Sequence, residues 1–281
     1  MQALHDILAP AKLNLFLHIT GRRPDGYHLL QSVFMLIDWC DTLHFERQHN
    51  GQISREDLTI ALPADDLVVR AARALKNASG THWGAHIAID KQIPAQAGMG
   101  GGSSDAASTL LALNRLWELN WPIKKLLPLG LSLGADVPFF LRGHNAWVEG
   151  IGEHITPIAL PQSRFAVIKP SAGLETAKIF RHPLLQRATK AATMTDFAAA
   201  PFDFGRNDLQ PVAQMLCPEI DQAIAWLNDA GLKSRMTGSG SAIFAHMPHD
   251  VVFNTPPNGW QFKSCSNMLS HPLAGWGISE E

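Results

Sequence analysis

The sequence predicts an α+β protein with two domains, and three segments of the chain support that prediction. Residues 12–19 alternate between apolar and other side chains, which is the period of a β-strand. Residues 86–119 predict a strand, a glycine-rich loop and a helix, in that order. Residues 219–245 predict a helix, a second loop of small residues and another strand. Strands and helices mixed along the whole chain indicate the α+β class.

Length and composition limit the possible classes of protein. The chain has 281 residues, which at about 150 residues per domain fits two domains. With 46% hydrophobic and 17% charged residues it is globular in composition, not disordered. The net charge of -2 argues against a dedicated nucleic-acid binder. No apolar run approaches the roughly 18 residues of a membrane span, and no secretory signal begins the chain.

The three cysteines, Cys40, Cys217 and Cys265, are far apart and form no CxxC pair. They support neither a disulfide framework nor a zinc ribbon, and the histidines show no paired ligand spacing. A reducing compartment fits this pattern, so we expect a cytoplasmic protein with free thiols.

The first predicted strand places Leu13 and Leu15 on an apolar face and Lys12 and Asn14 side by side on the other. Turn residues at 21–26 end this strand, and residues 29–39 resume a β-like pattern. Lys12 has two interpretations of equal weight from the pattern alone. It either protects a strand edge from pairing with other chains or supplies a cation to a site.

The next elements lead into the glycine loop. Asp65 and Asp66 start a predicted helix that ends near Gly80, and residues 86–90 predict a short strand. After the loop, residues 106–119 predict a strong helix that Ser103 and Ser104 would cap.

Four glycines in five positions, Gly98 and residues 100–102, allow the backbone to approach a bulky ligand closely. Free N–H groups and the positive dipole end of the following helix make this segment a candidate anion site. It is not a Walker A loop, because no lysine lies between Lys91 and Lys124. It is not a dinucleotide fingerprint either, because Ser103 stands where a glycine is needed. The alternative is a flexible turn before a helix.

The middle of the chain predicts a helix at 123–134, interrupted or ended near Pro128, and strands at 146–149 and 165–169. Gly150 and Gly152 are the candidate hinge, which places the domain boundary near residue 155 and gives domains 1–155 and 156–281. Residues 188–200 predict a surface connection, and residues 248–259 predict a loop.

Three further side chains are candidates for function, each with a structural alternative. Asp136, in a turn before Pro138, either makes local turn hydrogen bonds or accepts a hydroxyl proton. Tyr27, the only tyrosine, either packs at a hairpin end or binds a ligand together with His28. The loop at 237–241 is either a tight turn or a second backbone segment facing a ligand.

Three segments resemble the motifs of the GHMP kinases, the superfamily of galactokinase, homoserine kinase, mevalonate kinase and phosphomevalonate kinase. They are residues 10–15, residues 94–104 and residues 237–240. Residues 26–28 and 133–139 resemble the branch that phosphorylates a cytidine-diphosphate-linked methylerythritol in the non-mevalonate route to isoprenoids. The resemblance covers about residues 9–245.

This resemblance implies an ATP-binding domain with a ribosomal-S5-like fold, a ferredoxin-like second domain and a substrate cleft between them. It implies that Asp136 is the base, that Lys12 is its cationic partner, and that ATP and Mg²⁺ are the cofactors. The implied phosphate loop consists of Pro94, Ala95, Gln96, Ala97, Gly98, Met99, Gly100, Gly101, Gly102, Ser103 and Ser104. The implied substrate residues are Asn14, Tyr27, His28, Thr176 and Phe180.

The metal ligands do not follow from the resemblance, because this loop has no glutamate. Ser104 and Asp105 are the candidates, and we expect Asp105 to point away from the phosphates or to meet a metal. Two rival functions are a sibling kinase for homoserine or mevalonate and a non-catalytic nucleotide-binding protein. The aromatic set Tyr27, His28 and Phe180 argues against a small aliphatic acceptor, and the presence of both Lys12 and Asp136 argues against loss of catalysis.

Overall fold

A computed structural model describes residues 1–277. The chain forms a six-stranded sheet followed by a four-stranded sheet. The first sheet has the order β3-β4-β2-β5-β6, with β1 paired to β2, and all its pairs are antiparallel except β3 with β4. Its strands are β1 Ala3–Arg22, β2 His28–Gln48, β3 Ile53–Asp57, β4 Gly84–Asp90, β5 Ala146–Gly150 and β6 His154–Pro157.

The second sheet is antiparallel throughout and has the order β10-β7-β9-β8. Its strands are β7 Arg164–Lys169, β8 Ser234–Met236, β9 Ile243–Met247 and β10 Gln261–Ser266. The helices are α1 Leu67–Ser79, α2 Gly101–Leu116, α3 Ile123–Leu133, α4 Val137–Arg142, α5 Thr176–Arg181, α6 Met194–Ala199, α7 Gln210–Leu216 and α8 Glu219–Asp229. None of these described helices has the length and apolarity needed to cross a membrane.

Strand β1 lies between two apolar cores. On one side, the first sheet packs against α1 to α4. On the other side, Leu13, Leu15 and Phe16 pack with Phe165 and Phe244 of the second sheet. Residues 9–19 are therefore buried without exception. The predicted alternation is correct: Leu13 and Leu15 form the apolar face that packs on the second sheet, and Lys12 and Asn14 lie side by side on the other face.

Several predicted boundaries are confirmed and have clear causes. Asp66 caps α1 by accepting a hydrogen bond from the Val69 N–H, and Gly80 ends that helix in the left-handed conformation. Helix α8 begins at Glu219, where the predicted segment begins, and its buried stripe includes Ile220 and Leu227.

Other local predictions are wrong. Pro128 lies inside a continuous α3, because Leu126 is buried and Gly130 packs closely against Leu141. Gly150 and Gly152 are not a hinge, since they form the turn between the paired strands β5 and β6.

The connection at 188–200 is not confined to the surface. It contains α6, which begins with a capping box between Thr193 and Asp196. Phe197 of α6 is buried against Phe16 and Trp147, at ring distances of 5.9 and 6.1 Å.

After β10 the chain returns to the first sheet. The Met268 N–H donates to the Leu36 carbonyl at 2.9 Å, and the His271 N–H donates to the Gly143 carbonyl at 2.8 Å. Leu273 is buried in the core beneath the first sheet. Residues 267–277 thus pack with the first sheet and cover one end of its helical layer.

Candidate active site

A cleft of about 720 Å³ brings most of the predicted site residues together. Its walls include Lys12, Asn14, Asp136, Thr176 and Phe180. They also include residues 94–103 of the predicted phosphate loop and residues 238–240 of the second glycine loop. Ser104 is fully buried and is not on the wall, while Tyr27 and His28 line an adjoining pocket instead.

Lys12 and Asp136 form an ion pair in this cleft, with Lys12 Nζ 3.7 Å from Asp136 Oδ2. Lys12 is only 3% exposed, which excludes the interpretation that it guards a strand edge. Its ammonium also contacts the Asn14 carboxamide oxygen and lies 4.7 Å from the centre of the Phe34 ring. Burial lowers the pKa of Lys12 below its ordinary value, although Asp136 opposes the change.

Helix α4 determines the position of Asp136. Asp136 occupies the N-cap of this short helix, yet its side chain makes no capping hydrogen bond. Phe139 and Phe140 of the same helix are fully buried and hold it against the core. The carboxylate therefore remains available to the cleft, with about a third of the side chain exposed. The alternative that Asp136 serves only local turn hydrogen bonds does not match this geometry.

The glycine loop is held against β1 and against the second glycine loop. The Lys12 N–H donates to the Met99 carbonyl at 2.9 Å. A Cβ on Gly98 would lie 2.3 Å from the Thr237 carbonyl oxygen, so only glycine allows the two loops to touch. Gly98 also has a φ of 71°, in the left-handed region. The loop is thus packed on both sides and is not a free turn.

Helix α2 begins at the end of this loop, inside the cleft. Its N-cap is Gly100, without a side-chain hydrogen bond, so the prediction that Ser103 and Ser104 cap the helix is wrong. Both serines lie in the first turn, because helical geometry begins at Gly101. The first helical hydrogen bond is donated by the Ser104 N–H to the Gly100 carbonyl. The N–H groups of residues 101–103 precede it and are oriented for an anion.

A buried ionic cluster composed of Asp41, Lys91 and Asp105 lies beneath the loop. Lys91 Nζ contacts an Asp41 oxygen and lies 2.7 Å from Asp105 Oδ2. Asp41 Oδ1 also accepts hydrogen bonds from the backbone N–H groups of Gln92 and Ile93, at 2.6 and 2.7 Å. The cluster therefore ties the start of the loop to helix α2. No sequence motif indicated it, because Asp41 lies in β2, Lys91 directly follows β4 and Asp105 lies in α2.

The electrostatics of the cluster follow from two carboxylates sharing one ammonium. Burial alone would lower the pKa of Lys91, but Asp105 and Asp41 outweigh burial and raise it. Burial raises the pKa of Asp105 well above its ordinary value, and the charge of Asp41 adds to the increase. The expectation that Asp105 points away from bound phosphates fits its pairing with Lys91.

The second glycine loop joins the cleft through hydroxyl contacts. Thr237 Oγ1 accepts a hydrogen bond from the Asn14 N–H at 2.9 Å, which connects β8 to β1 beside Lys12. Ser239 Oγ lies 2.6 Å from Thr176 Oγ1, at the start of α5. This loop was interpreted either as a tight turn or as a backbone segment facing a ligand. Its place on the cleft wall favours the second interpretation.

A second pocket of about 590 Å³ adjoins the cleft and shares Phe180 with it. Tyr27 and His28 line this pocket from the turn between β1 and β2. Tyr27 is 61% exposed, which contradicts the interpretation that it packs at the hairpin end. The His28 ring packs against the Phe180 ring, with centres 5.2 Å apart. Arg187 Nε donates a hydrogen bond to the His28 ring, a contact that was not predicted from the sequence.

A metal site of side chains alone is not present among residues 1–277, where no cluster of three His, Cys, Asp or Glu side chains could hold an ion. Two buried oxygen atoms of the first turn of α2, Ser104 Oγ and Asp105 Oδ1, have no hydrogen-bond partner in the described chain. Oxygen donors of this kind suit Mg²⁺, which commonly takes one or two protein ligands beside nucleotide phosphates.

Comparison with known protein families agrees with this geometry. The family model of the GHMP kinases N terminal domain matches residues 66–144, and that of the GHMP kinases C terminal matches residues 185–251. The first covers the glycine loop and Asp136, and the second covers the second glycine loop. Together they confirm the α+β fold class expected from the sequence.

Two curated relatives are each named 4-diphosphocytidyl-2-C-methyl-D-erythritol kinase. The one from Paracidovorax citrulli is 65% identical over 285 residues, covering 100% of this chain and 100% of that protein. The one from Albidiferax ferrireducens is 65% identical over 280 residues, covering 100% of this chain and 98% of that protein.

Solved structures show the same relationship. A 4-(cytidine 5'-diphospho)-2C-methyl-D-erythritol kinase superposes with a TM-score of 0.79 at 32% identity, covering 92% of this chain and 98% of that one. A homoserine kinase from Cytophaga hutchinsonii has a TM-score of 0.68 at 16% identity, covering 96% of each chain, and shares the fold. The chain therefore belongs to the GHMP kinase family, in the branch of the 4-diphosphocytidyl-2-C-methyl-D-erythritol kinases.

Proposed function

We propose that this enzyme transfers the γ-phosphoryl group of ATP to the tertiary hydroxyl of 4-diphosphocytidyl-2-C-methyl-D-erythritol, a step of the non-mevalonate isoprenoid pathway. One observation carries the proposal most directly. The Lys12–Asp136 ion pair, at 3.7 Å, lies in one cleft with the glycine loop and the N-terminus of α2. A base, a cation and an anion site are thus adjacent. The identity of the substrate is supported by the two relatives of that name at 65% identity.

In this proposal the phosphates of ATP lie along residues 94–104. The N–H groups at the start of α2 bind the phosphate oxygens, and the helix dipole favours their negative charge. The apolar side chains of Leu62, Leu67 and Ile93, which line the same cleft, contact the nucleoside. The first sheet with its helices provides this ATP site, and α5, beside the second sheet, adds Thr176 and Phe180 to the substrate side.

Asp136 accepts the proton of the substrate hydroxyl as its oxygen attacks the γ-phosphorus and the bond to the β-phosphate oxygen breaks. Lys12 places its positive charge beside Asp136 and neutralises charge that develops on the transferring group. Asn14 contacts Lys12 and holds its ammonium in the cleft. Phosphoryl transfer depends mainly on positioning and electrostatics, so these few groups are sufficient.

Mg²⁺ fits the oxygen atoms present, with the nucleotide phosphates as its main ligands. Asp105 lines the cleft, so its Oδ1 is the protein atom that would hold the ion or its water molecules. When bound, the ion would neutralise phosphate charge.

The pocket beside the cleft is suited to cytosine. Tyr27 and Phe180 provide aromatic surfaces for the two faces of the base, and His28 provides polar atoms for its edge. A small aliphatic acceptor such as homoserine or mevalonate needs no such pocket, so the sibling-kinase alternative leaves these side chains unexplained.

The test is a kinase assay with ATP, Mg²⁺ and three acceptors: the cytidine-linked substrate, homoserine and mevalonate. We expect phosphorylation of the cytidine-linked acceptor alone, with the new phosphate on its tertiary oxygen by ³¹P NMR. Turnover of homoserine or mevalonate would replace the proposal with the sibling function, and ATP binding without turnover of any acceptor would indicate a non-catalytic protein.

A further inference from the structure

Arg187 makes a contact that the proposed reaction does not require and that the sequence did not indicate. It lies in the connection between α5 and α6 and lines the pocket of Tyr27 and His28. Its Nε donates a hydrogen bond to His28 Nε2 at 3.2 Å. The rest of its guanidinium is also engaged by hydrogen bonds to three backbone carbonyls, those of His182, Pro183 and Leu185.

These carbonyl contacts show what Arg187 does in the pocket. Its Nη2 donates to the His182 carbonyl at 2.7 Å, and its Nη1 donates to the carbonyls of Leu185 and Pro183 at 3.1 and 3.3 Å. A guanidinium with all three nitrogens occupied has little capacity left for a phosphate. Its Nη1 and Nη2 hold the connection between α5 and α6 in place, and its Nε faces the Nε2 atom of His28. The contacts therefore indicate a positioning residue for His28 and not a ligand-binding one.

The direction of the contact determines the tautomer of His28. An arginine has donors and no acceptor, so the nitrogen that receives its hydrogen bond must carry a lone pair. Nε2 is then unprotonated, and the neutral ring carries its proton on Nδ1. In the described chain Nδ1 has no hydrogen-bond partner, which leaves this N–H for a ligand in the pocket.

We propose that Arg187 sets the base selectivity of the enzyme by fixing His28 as the Nδ1–H tautomer. This inference rests on the proposed function, since it assumes that a cytosine occupies the pocket. Cytosine has an acceptor at N3, which a donor on Nδ1 can satisfy. Uracil has an N3–H at the same place, so two donors would face each other and the base would be rejected.

The charges around His28 support the same state. Burial, then the charges of Arg187 and Arg22, lower the pKa of the imidazole below its ordinary value. Asp25 also lines the pocket but pairs with Arg23, at 2.7 Å. With two cations near the ring, the neutral form of His28 is favoured. Selection of the base by the tautomer therefore operates throughout the neutral pH range.

The first measurement uses the free enzyme. Long-range ¹⁵N–¹H NMR correlates each histidine ring nitrogen with the ring protons, and the His28→Gln variant identifies the signals of His28. We expect a protonated Nδ1 and an unprotonated Nε2 in the wild type. A wild-type His28 with its proton on Nε2 would overturn the inference, whatever the substrate proves to be.

The second measurement compares Arg187→Met with the matched control Arg181→Met. Arg181 lines the same pocket but makes no hydrogen bond to His28 in the described chain. The control therefore removes an equal charge and leaves the hydrogen bond to His28 in place. In Arg187→Met the ring should shift to the Nε2–H tautomer, and the control should keep the Nδ1–H signal. If both variants retain it, Arg187 has no part in the selection.

Kinetics then test the consequence. At pH 8, Arg187→Met should raise the KM for the cytidine-linked substrate by about tenfold to a hundredfold, with kcat and the KM for ATP little changed. Its preference for cytidine over a uridine analogue should fall by a similar factor. Near pH 6 the variant imidazole becomes protonated on both nitrogens, so the KM should recover towards the wild-type value.

A general structural role for Arg187 predicts a different result, namely a raised KM that is equal at pH 6 and pH 8. That result would overturn the inference, as would unchanged selectivity. If Arg187→Met does not fold, the wild-type NMR measurement still decides the tautomer. If neither cytidine nor uridine substrate is turned over by the wild type, the proposed function fails, and the tautomer measurement still supports or rejects the role of Arg187.

Discussion

Replacing Asp136 by Asn is expected to lower kcat by about 10²- to 10⁴-fold, which is the usual contribution of a general base. The substitution preserves the size of the side chain but removes the charge that faces Lys12. Asp136 Oδ2 lies 3.7 Å from Lys12 Nζ, and no other carboxylate in the described chain lies within 4.0 Å of that ammonium. The variant therefore also leaves a buried cation without its partner.

The two effects have similar magnitudes. At an effective dielectric constant of about 20, two charges about 3.7 Å apart attract by roughly 4.5 kcal/mol, and partial exposure of Asp136 reduces this value. The expected loss in kcat corresponds to about 2.7–5.4 kcal/mol. Since a lost base and a displaced Lys12 could each account for it, kcat at one pH does not distinguish them.

The assay is therefore a pH profile of kcat at saturating ATP and acceptor, with ATP affinity measured by calorimetry. A carboxylate base produces a fall of kcat on the acid side, and this fall should vanish in Asp136→Asn. The affinity for ATP should change little, because the base acts in the transition state. Asp229→Asn, an exposed carboxylate on α8, is the matched control. A kcat within about threefold of wild type, or an ATP affinity that falls in parallel with kcat, would refute the reasoning.

Three further predictions concern other parts of the molecule. Lys91→Met leaves Asp41 and Asp105 buried without their cation, so urea unfolding should show a loss of about 3–5 kcal/mol; an unchanged midpoint would contradict the role of the cluster. Tyr27→Ala should raise the KM for the cytidine-linked substrate by about tenfold to a hundredfold. The KM for ATP and the melting temperature should not move, since Tyr27 is exposed. Burial lowers the pKa of His271 to about 4, so its folded form resists protonation and the free energy of unfolding should fall as the pH drops from about 6.5 to 4. A chemical-unfolding series over that range should be flatter in His271→Gln, and parallel curves for the two proteins would refute this assignment.

The sequence predicted the centre of the site because its residues lie within short, regular patterns. The alternation at 12–19 placed Lys12 beside Asn14, and the structure brings their side chains into contact. The dense glycines before a helix indicated an anion site, and α2 begins there. In each case the relevant neighbours are a few residues apart in the chain, so periodicity and turn chemistry were sufficient.

The sequence did not predict groups whose partners are far apart in the chain. Asp41, Lys91 and Asp105 meet only because β2, β4 and α2 pack together. Arg187 reaches His28 across a separation of 159 residues. Periodicity describes one element at a time, so it carries no information about which side chains of distant elements will share a buried space.

The glycines of the phosphate loop require more than one explanation. The density of glycine suggested room for a ligand, but a Cβ on Gly101 would lie 3.0 Å from Ile93 Cγ2, so packing against this side chain alone requires a glycine there. A valine at 101 would therefore displace Ile93, and a loss of ATP binding in that variant would not show where a phosphate lies. A Cβ on Gly102 would meet only Leu67, at 3.4 Å, and Gly102 is exposed on the cleft wall. Position 102, not 101, is thus the place from which a side chain would enter the space of a bound nucleotide.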